Sequence, residues 1–370
     1  MHKRETPQDG LLTWEVFLLG GGSLLTCVAF WIFFDRSMSI NTISQVAFAL
    51  AFAINHPHFM SSYVLLYNDF SKNIFRQARY FWAAVIVPIF LSAFLAFALG
   101  FGRTQWLGYA INSMYFLVGW HYVKQVVGCI IVTSARRRLY YQSWERRLML
   151  GNLISLWAIS FLQSQTSSPS FTFYGIVYSG LMLDPTLLKL AYAAVTISAC
   201  AVVAMHLRKY IYEGVRPTYG GMVAHLSLYV WYLPTFAHPG YAYFIPLFHS
   251  LQYLAFVWTF KANQVSAQLR GLNVVETRKG WVSQFISWGV TATALGALAF
   301  ELVPKGLDAQ AWIGAPDMGT SPFLVGFLLF INIHHYFIDN VIWKSSNEEL
   351  RQYLFAAPDN SEKKAVAEAA

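Results

Sequence analysis

Histidine is the residue whose placement in this sequence points to chemistry. Ten are present, and most stand inside long apolar runs. An ionisable ring is costly there and usually faces a bundle interior or a wet cavity. His56 and His58 flank Pro57, and His121 begins the run His121-Tyr122-Val123-Lys124-Gln125. His249 lies in Phe248-His249-Ser250-Leu251-Gln252-Tyr253, and His334 and His335 lead His334-His335-Tyr336-Phe337-Ile338-Asp339. His225 falls in a shorter apolar run. At about 1.5 Å of helical rise per residue, His56 and His121 lie about 20 Å below the outer face, His334 about 17 Å, His249 about 10 Å and His225 about 25 Å, in a core about 30 Å thick. Histidines at similar depth on different helices predict convergence on one site.

The predicted metal ligands are His56, His121, His249, His334 and His335, with His58 and His225 as further candidates. Residues two apart on a helix diverge, but Pro57 disturbs the turn and can bring His56 and His58 inward together. His335 and Asp339 share a face at i, i+4, so Asp339 either joins the metal or holds the imidazole as an acceptor. Gln125, one turn from His121, is expected to orient that ring or a bound oxygen species. Tyr253, one turn from His249, completes a catalytic set of Gln125, Tyr253 and Asp339. Imidazoles with few carboxylates suit iron, copper or zinc better than magnesium or calcium. Cys27, Cys129 and Cys200 show no metal spacing. The expectation is therefore non-haem iron, with haem held by two facing histidines as the alternative. Taken singly, each histidine also has the ordinary reading of a helix–helix hydrogen bond, which is favoured for His206 and also fits His225.

The elements that must position these residues are membrane helices. Of the 370 residues, 56% are hydrophobic and 12% charged, about half the charge of an ordinary soluble domain. Spans of about 20 apolar residues are predicted near 12–34, 42–67, 80–101, 106–133, 148–164, 186–207, 222–236, 242–260, 281–302 and 321–343. This gives an all-α bundle of about ten spans in one domain over 1–370, with tails at 1–11 and 344–370. The segment 171–183 is apolar too, and reads as re-entrant or surface-lying. Basic residues fill alternate loops: Lys72, Arg76 and Arg79; Arg136–Arg138 with Arg146 and Arg147; Arg208, Lys209 and Arg216; Lys261, Arg270, Arg278 and Lys279. That alternation predicts both termini on the cytoplasmic side, in a bacterial inner membrane. The net charge of +8 sits in these short loop clusters, which excludes a nucleic-acid surface.

Pro57-His58, preceded by His56, resembles the proline–histidine motif of the Brp/Blh membrane β-carotene 15,15′-dioxygenases. Phe248-His249-Ser250 is similar to their tryptophan–histidine–serine segment. The resemblance implies an all-helical membrane fold, an iron held by four histidines and dioxygen-dependent cleavage of a polyene. The sequence departs from the family where the first motif would continue into an Asp-His pair: Phe59-Met60-Ser61-Ser62-Tyr63 stands there. Tyr253 stands where the family has a second histidine after the His-Ser step.

Together these features predict a membrane-embedded iron oxygenase or oxidase acting on a carotenoid, isoprenoid or acyl chain. Its expected partners are membrane lipids, a hydrophobic small-molecule substrate and an electron donor. A haem electron-transfer protein, an ion or metal transporter and a structural subunit of a membrane complex are the competing classes. The absence of an internal repeat weighs against the transporter.

Overall fold

The computed structural model describes residues 13–33, 40–271, 278–310, 319–344 and 346–354. The predicted tail at 1–11 lies outside them, as does 355–370 of the tail predicted at 344–370, whose described part holds a short helix at Glu348–Leu354. The chain runs as α1 (14–33), α2 (40–69), α3 (Ala78–Gly100), α4 (Thr104–Arg136), α5 (Ser143–Ser167), α6 (Pro185–Glu213), α7 (Tyr219–Ala237), α8 (Ile245–Gly271), α9 (278–308), α10 (Pro322–Ile342) and the short α11 (Glu348–Leu354). Every predicted span falls on a helix. Six of them, α1, α3, α4, α6, α9 and α10, are long and apolar enough to cross a membrane by length and composition. The expectation of ten is corrected to that extent. Two of the other helices, α2 and α8, carry the buried polar residues His58, Ser61, Ser62, His249, Ser250 and Gln252. The polar groups that build the interior lower their apolarity.

The segment 171–183 holds most of a β-hairpin and no helix. Ser170–Phe173 (β1) pairs antiparallel with Ile176–Ser179 (β2), with Phe173 opposite Ile176. Tyr174 and Gly175 both have positive φ, 47° and 87°, as a two-residue type I′ hairpin turn demands. The hairpin is tied to α4 by the Asn112 amide, which donates to the Ser179 carbonyl at 3.0 Å.

Burial separates the helices into two kinds. Most of α10 is buried, whereas most of α6 and α9 is exposed. The exposed faces carry Leu190, Ile197, Val203, Ile286, Val290 and Leu302. An apolar surface this continuous marks a membrane or partner interface, and lipid solvates it without cost. Where helices approach closely, small residues allow it. A Cβ on Gly119 would fall 1.9 Å from the Trp157 indole, so α4 and α5 meet there only because residue 119 has no side chain.

Prolines shape the helices around the site. In α2, α3 and α9 a turn ahead of a proline widens to i→i+5 bonding: Ala51–Asn55, Trp82–Ile86 and Leu298–Leu302. Each of these three turns ends two residues before its proline: Pro57, Pro88 and Pro304. Proline has no N–H, so the carbonyls four and five residues upstream lose their helical donor. Around Pro88 both replacements are visible. The Tyr67 hydroxyl donates to the Ala84 carbonyl at 2.8 Å, and the His334 Nε2 lies 2.8 Å from the Ala83 carbonyl.

Candidate metal centre

Four helices bring His58 (α2), His121 (α4), His249 (α8) and, from α10, His335 and Asp339 into one buried cluster. The ligand atoms of His58, His249 and His335 lie within 4.8 Å of one another, as do those of His121, His335 and Asp339. The two triads share His335. His121 Nε2 is 3.2 Å from His249 Nε2, and Asp339 Oδ2 is 3.4 Å from His335 Nε2 and 3.7 Å from His121 Nε2. Two nitrogens bound at about 2.0–2.1 Å to one ion lie about 3.0 Å apart at a right angle and about 3.4 Å apart at a tetrahedral one. The observed spacings fit ligand atoms that share an ion, and most are long for direct hydrogen bonds.

Hydrogen-bond accounting points the same way. Both ring nitrogens of His58, both of His335 and Nδ1 of His249 are buried without a hydrogen-bond partner. A buried polar atom left unpaired costs about 1–3 kcal/mol, and native interiors hold few. Here, among the described residues, these nitrogens belong to three rings of one cluster. Asp339 adds a buried carboxyl group whose ionisable neighbours among the described residues include the imidazoles of His121 and His335. A carboxyl group this deep stays protonated unless a positive charge stands beside it, and a metal ion would supply one.

The supporting groups are ordered in a chain. Ser62 donates to Asp339 Oδ1 at 2.7 Å, and its oxygen lies 2.6 Å from the Tyr253 hydroxyl. Since the single Ser62 proton goes to Asp339, Tyr253 donates to Ser62. The Tyr253 ring stands edge-on to His58, with centroids 4.2 Å apart. The Tyr336 ring lies beside His121, with centroids 4.9 Å apart. Ser250 ties α8 to α2 by donating to Asn55 Oδ1 at 2.7 Å.

Other predicted site residues stand elsewhere. His56 points away from the cluster and stacks on Phe300 of α9, with centroids 4.3 Å apart. Pro57 therefore does not bring both histidines inward; the ordinary divergence of residues two apart prevails. The close approach of α9 is possible because a Cβ on Gly296 would already touch His56. His334 is rotated off the cluster by the helical step from His335. Its Nε2 is committed to the Ala83 carbonyl, so its Nδ1, 2.9 Å from the Tyr63 hydroxyl, accepts from it. His225 lies against α5, with Nε2 2.9 Å from Asn152 Oδ1. Gln125 contacts neither ring: its amide donates to the His249 backbone carbonyl at 2.9 Å and to Gln252 Oε1 at 3.3 Å, fixing the helix that carries the histidine. Ser62 was not foreseen, although it follows His58 at i+4 and so shares its face.

No family model matches the chain, and no curated protein or solved structure matches it.

Proposed function

We propose that this chain is a membrane-embedded, histidine-ligated iron oxygenase acting on a lipid-soluble substrate. The observation that carries the reading is the buried convergence of His58, His121, His249, His335 and Asp339, with ring nitrogens on His58, His249 and His335 that no described residue satisfies. Imidazoles with one carboxylate form a donor set that suits iron among redox-active ions. The bound ion would supply a Lewis-acidic, redox-active position for dioxygen. The rest falls to the chain. His58, His121, His249 and His335 hold the ion, and Asp339 offsets its charge. Tyr253 and Ser62 hold a proton two hydrogen bonds from Asp339 Oδ1. Buried apolar walls exclude water from reactive species.

The hydrocarbon part of a substrate has a place beside the cluster. An apolar cavity of about 490 Å³ lies between α3, α4 and α10, lined by Trp82, Phe90, Phe94, Trp106, Leu117 and Ile333 among others. Leu117 is one turn from His121 and so shares its face of α4. Cleavage of a polyene double bond places one oxygen atom of dioxygen in each carbonyl product and needs no reductant. Hydroxylation would instead draw two electrons and two protons from a donor and release one oxygen atom as water.

The haem alternative fits poorly. Imidazole centroids 4.7 Å apart for His58–His335 and His121–His249, and 4.9 Å for His58–His249, leave no slot for a flat macrocycle between opposed rings. The same reading takes α2, α5, α7 and α8 as further spans. It places both termini on the cytoplasmic side of a bacterial inner membrane, supported by the alternation of basic loops. The decisive experiment is metal analysis of the folded, purified chain beside its ultraviolet–visible spectrum. Stoichiometric iron without a Soret band is expected. Folded protein without bound metal would sink the proposal.

A further inference from the structure

A second cavity lies on the other side of the bundle, between the end of α2, α8 and α9. It measures about 800 Å³, in the range of pockets that hold small amphiphiles. One end is polar. Asn68, Asp69, Lys261, Gln264, Gln268, Ser283 and Gln284 line it. The other end is formed by Tyr63, Val64, Trp288, Thr291 and Leu295. From Ser283 to Leu295 the wall runs about 18 Å along α9 at helical rise. That length matches a headgroup and the first part of its chain.

The charges in this cavity are already spent. Lys261 Nζ lies 2.6 Å from Asp69 Oδ2 and donates to Gln264 Oε1 at 3.0 Å, and the Gln264 amide donates to Asp69 Oδ1 at 3.3 Å. The result is a closed, neutral triad. Every other polar side-chain group among the lining residues is an amide, a hydroxyl or the Trp288 indole N–H. Among the described lining residues a phosphate would meet no free positive charge, and its own charge would be set against the Asp69 carboxylate. An uncharged head with donors and acceptors would find partners for both.

We propose that this cavity binds the uncharged, hydrogen-bonding head of a membrane amphiphile, a quinol or an alcohol-headed lipid, with its chain directed along α9. The site goes beyond the metal reading and does not depend on it. Its inner end reaches Tyr63, whose hydroxyl is bonded to His334, the neighbour of His335 in the cluster. Only a coupling along that contact would rest on the iron proposal.

The test is saturable binding to the metal-stripped full chain in phosphatidylcholine nanodiscs, because detergents with sugar heads would themselves compete. Radiolabelled decyl-benzoquinol and dodecylglycerol are the two probes, with phosphatidylglycerol as the charged comparison. At least one neutral probe should saturate, and the tighter of the two identifies the head. Thr291→Trp, on an exposed face of α9, fills the cavity and should weaken binding at least about tenfold. Gln268→Leu removes one polar partner without adding bulk and should weaken it about threefold to tenfold. Three outcomes would overturn the proposal: no saturable binding of either neutral probe to folded protein, binding unchanged in both variants, or preferential retention of phosphatidylglycerol that Lys261→Met abolishes.

Discussion

At the scale of single residues, two adjacent histidines do different work because a helix turns about 100° per residue. His335 faces the cluster with unpaired nitrogens, while His334 has both of its nitrogens engaged by Tyr63 and the Ala83 carbonyl. His335→Ala is therefore expected to abolish metal retention. His225→Ala, at a ring bonded to Asn152, should leave the metal content unchanged. Mass-spectrometric metal analysis of both variants separates a shared site from scattered helix contacts. Ser62 tests the layer behind the ligands. Ser62→Ala deprives Asp339 Oδ1 of its donor and should weaken metal affinity about 10–100-fold, read by chelator competition, with the fold retained.

At the scale of elements, Pro88 explains why α3 can accept hydrogen bonds from its neighbours. The carbonyls of Ala83 and Ala84 are freed by the missing N–H and taken by His334 and Tyr67. Tyr67→Phe is expected to cost about 0.5–1.5 kcal/mol. In a Pro88→Ala background the restored N–H at position 88 can bond the Ala84 carbonyl, so the cost of Tyr67→Phe should shrink. A double-mutant cycle from reversible unfolding measures that coupling, and strict additivity would refute the account. The start of α6 offers a pH handle. Asp184 accepts from the Thr186 N–H at 2.8 Å, and its bonds to the Thr186 backbone and side chain hold its carboxyl below the usual carboxylate range. A depressed folded value gives stability that is present above the unfolded pKa and is lost as pH falls through the folded one. Melting temperature should thus fall with acid in this low range, and Asp184→Ala should remove that component.

At the scale of the whole molecule, α5 and α6 are joined by a buried ion pair. Lys209 Nζ lies 2.9 Å from Glu145 Oε1, and the Glu145 side chain also accepts from the Gln142 N–H at the start of α5. Lys209→Met leaves a buried carboxylate unpaired and should destabilise the fold by about 3–5 kcal/mol, measured by denaturant unfolding. The topology is testable in a cysteine-free background. Cysteines introduced as Lys72→Cys and Arg147→Cys should react with an impermeant maleimide only after the cells are opened. Those introduced as Arg103→Cys and Lys305→Cys should react in intact cells. Any reversal of that pattern would break the proposed arrangement of spans.

The sequence by itself determined the helical class and the positions of the helices, because long apolar runs admit few other backbones. It also marked His121, His249, His335 and Asp339, since polar residues at mid-run depth need an interior. It did not determine which neighbour of each pair faces that interior. Depth along a helix follows from counting residues, but rotation about the helix axis depends on how the helices pack. Rotation is what divides His58 from His56 and His335 from His334. The hairpin at 170–179 was hidden because its residues are as apolar as a span, and only its turn at Tyr174-Gly175 and its tie to Asn112 distinguish it. Ser62 came to the cluster through tertiary contact. A serine four residues after a histidine is unremarkable until Asp339 and Tyr253, far away in the chain, are brought within hydrogen-bonding distance of it.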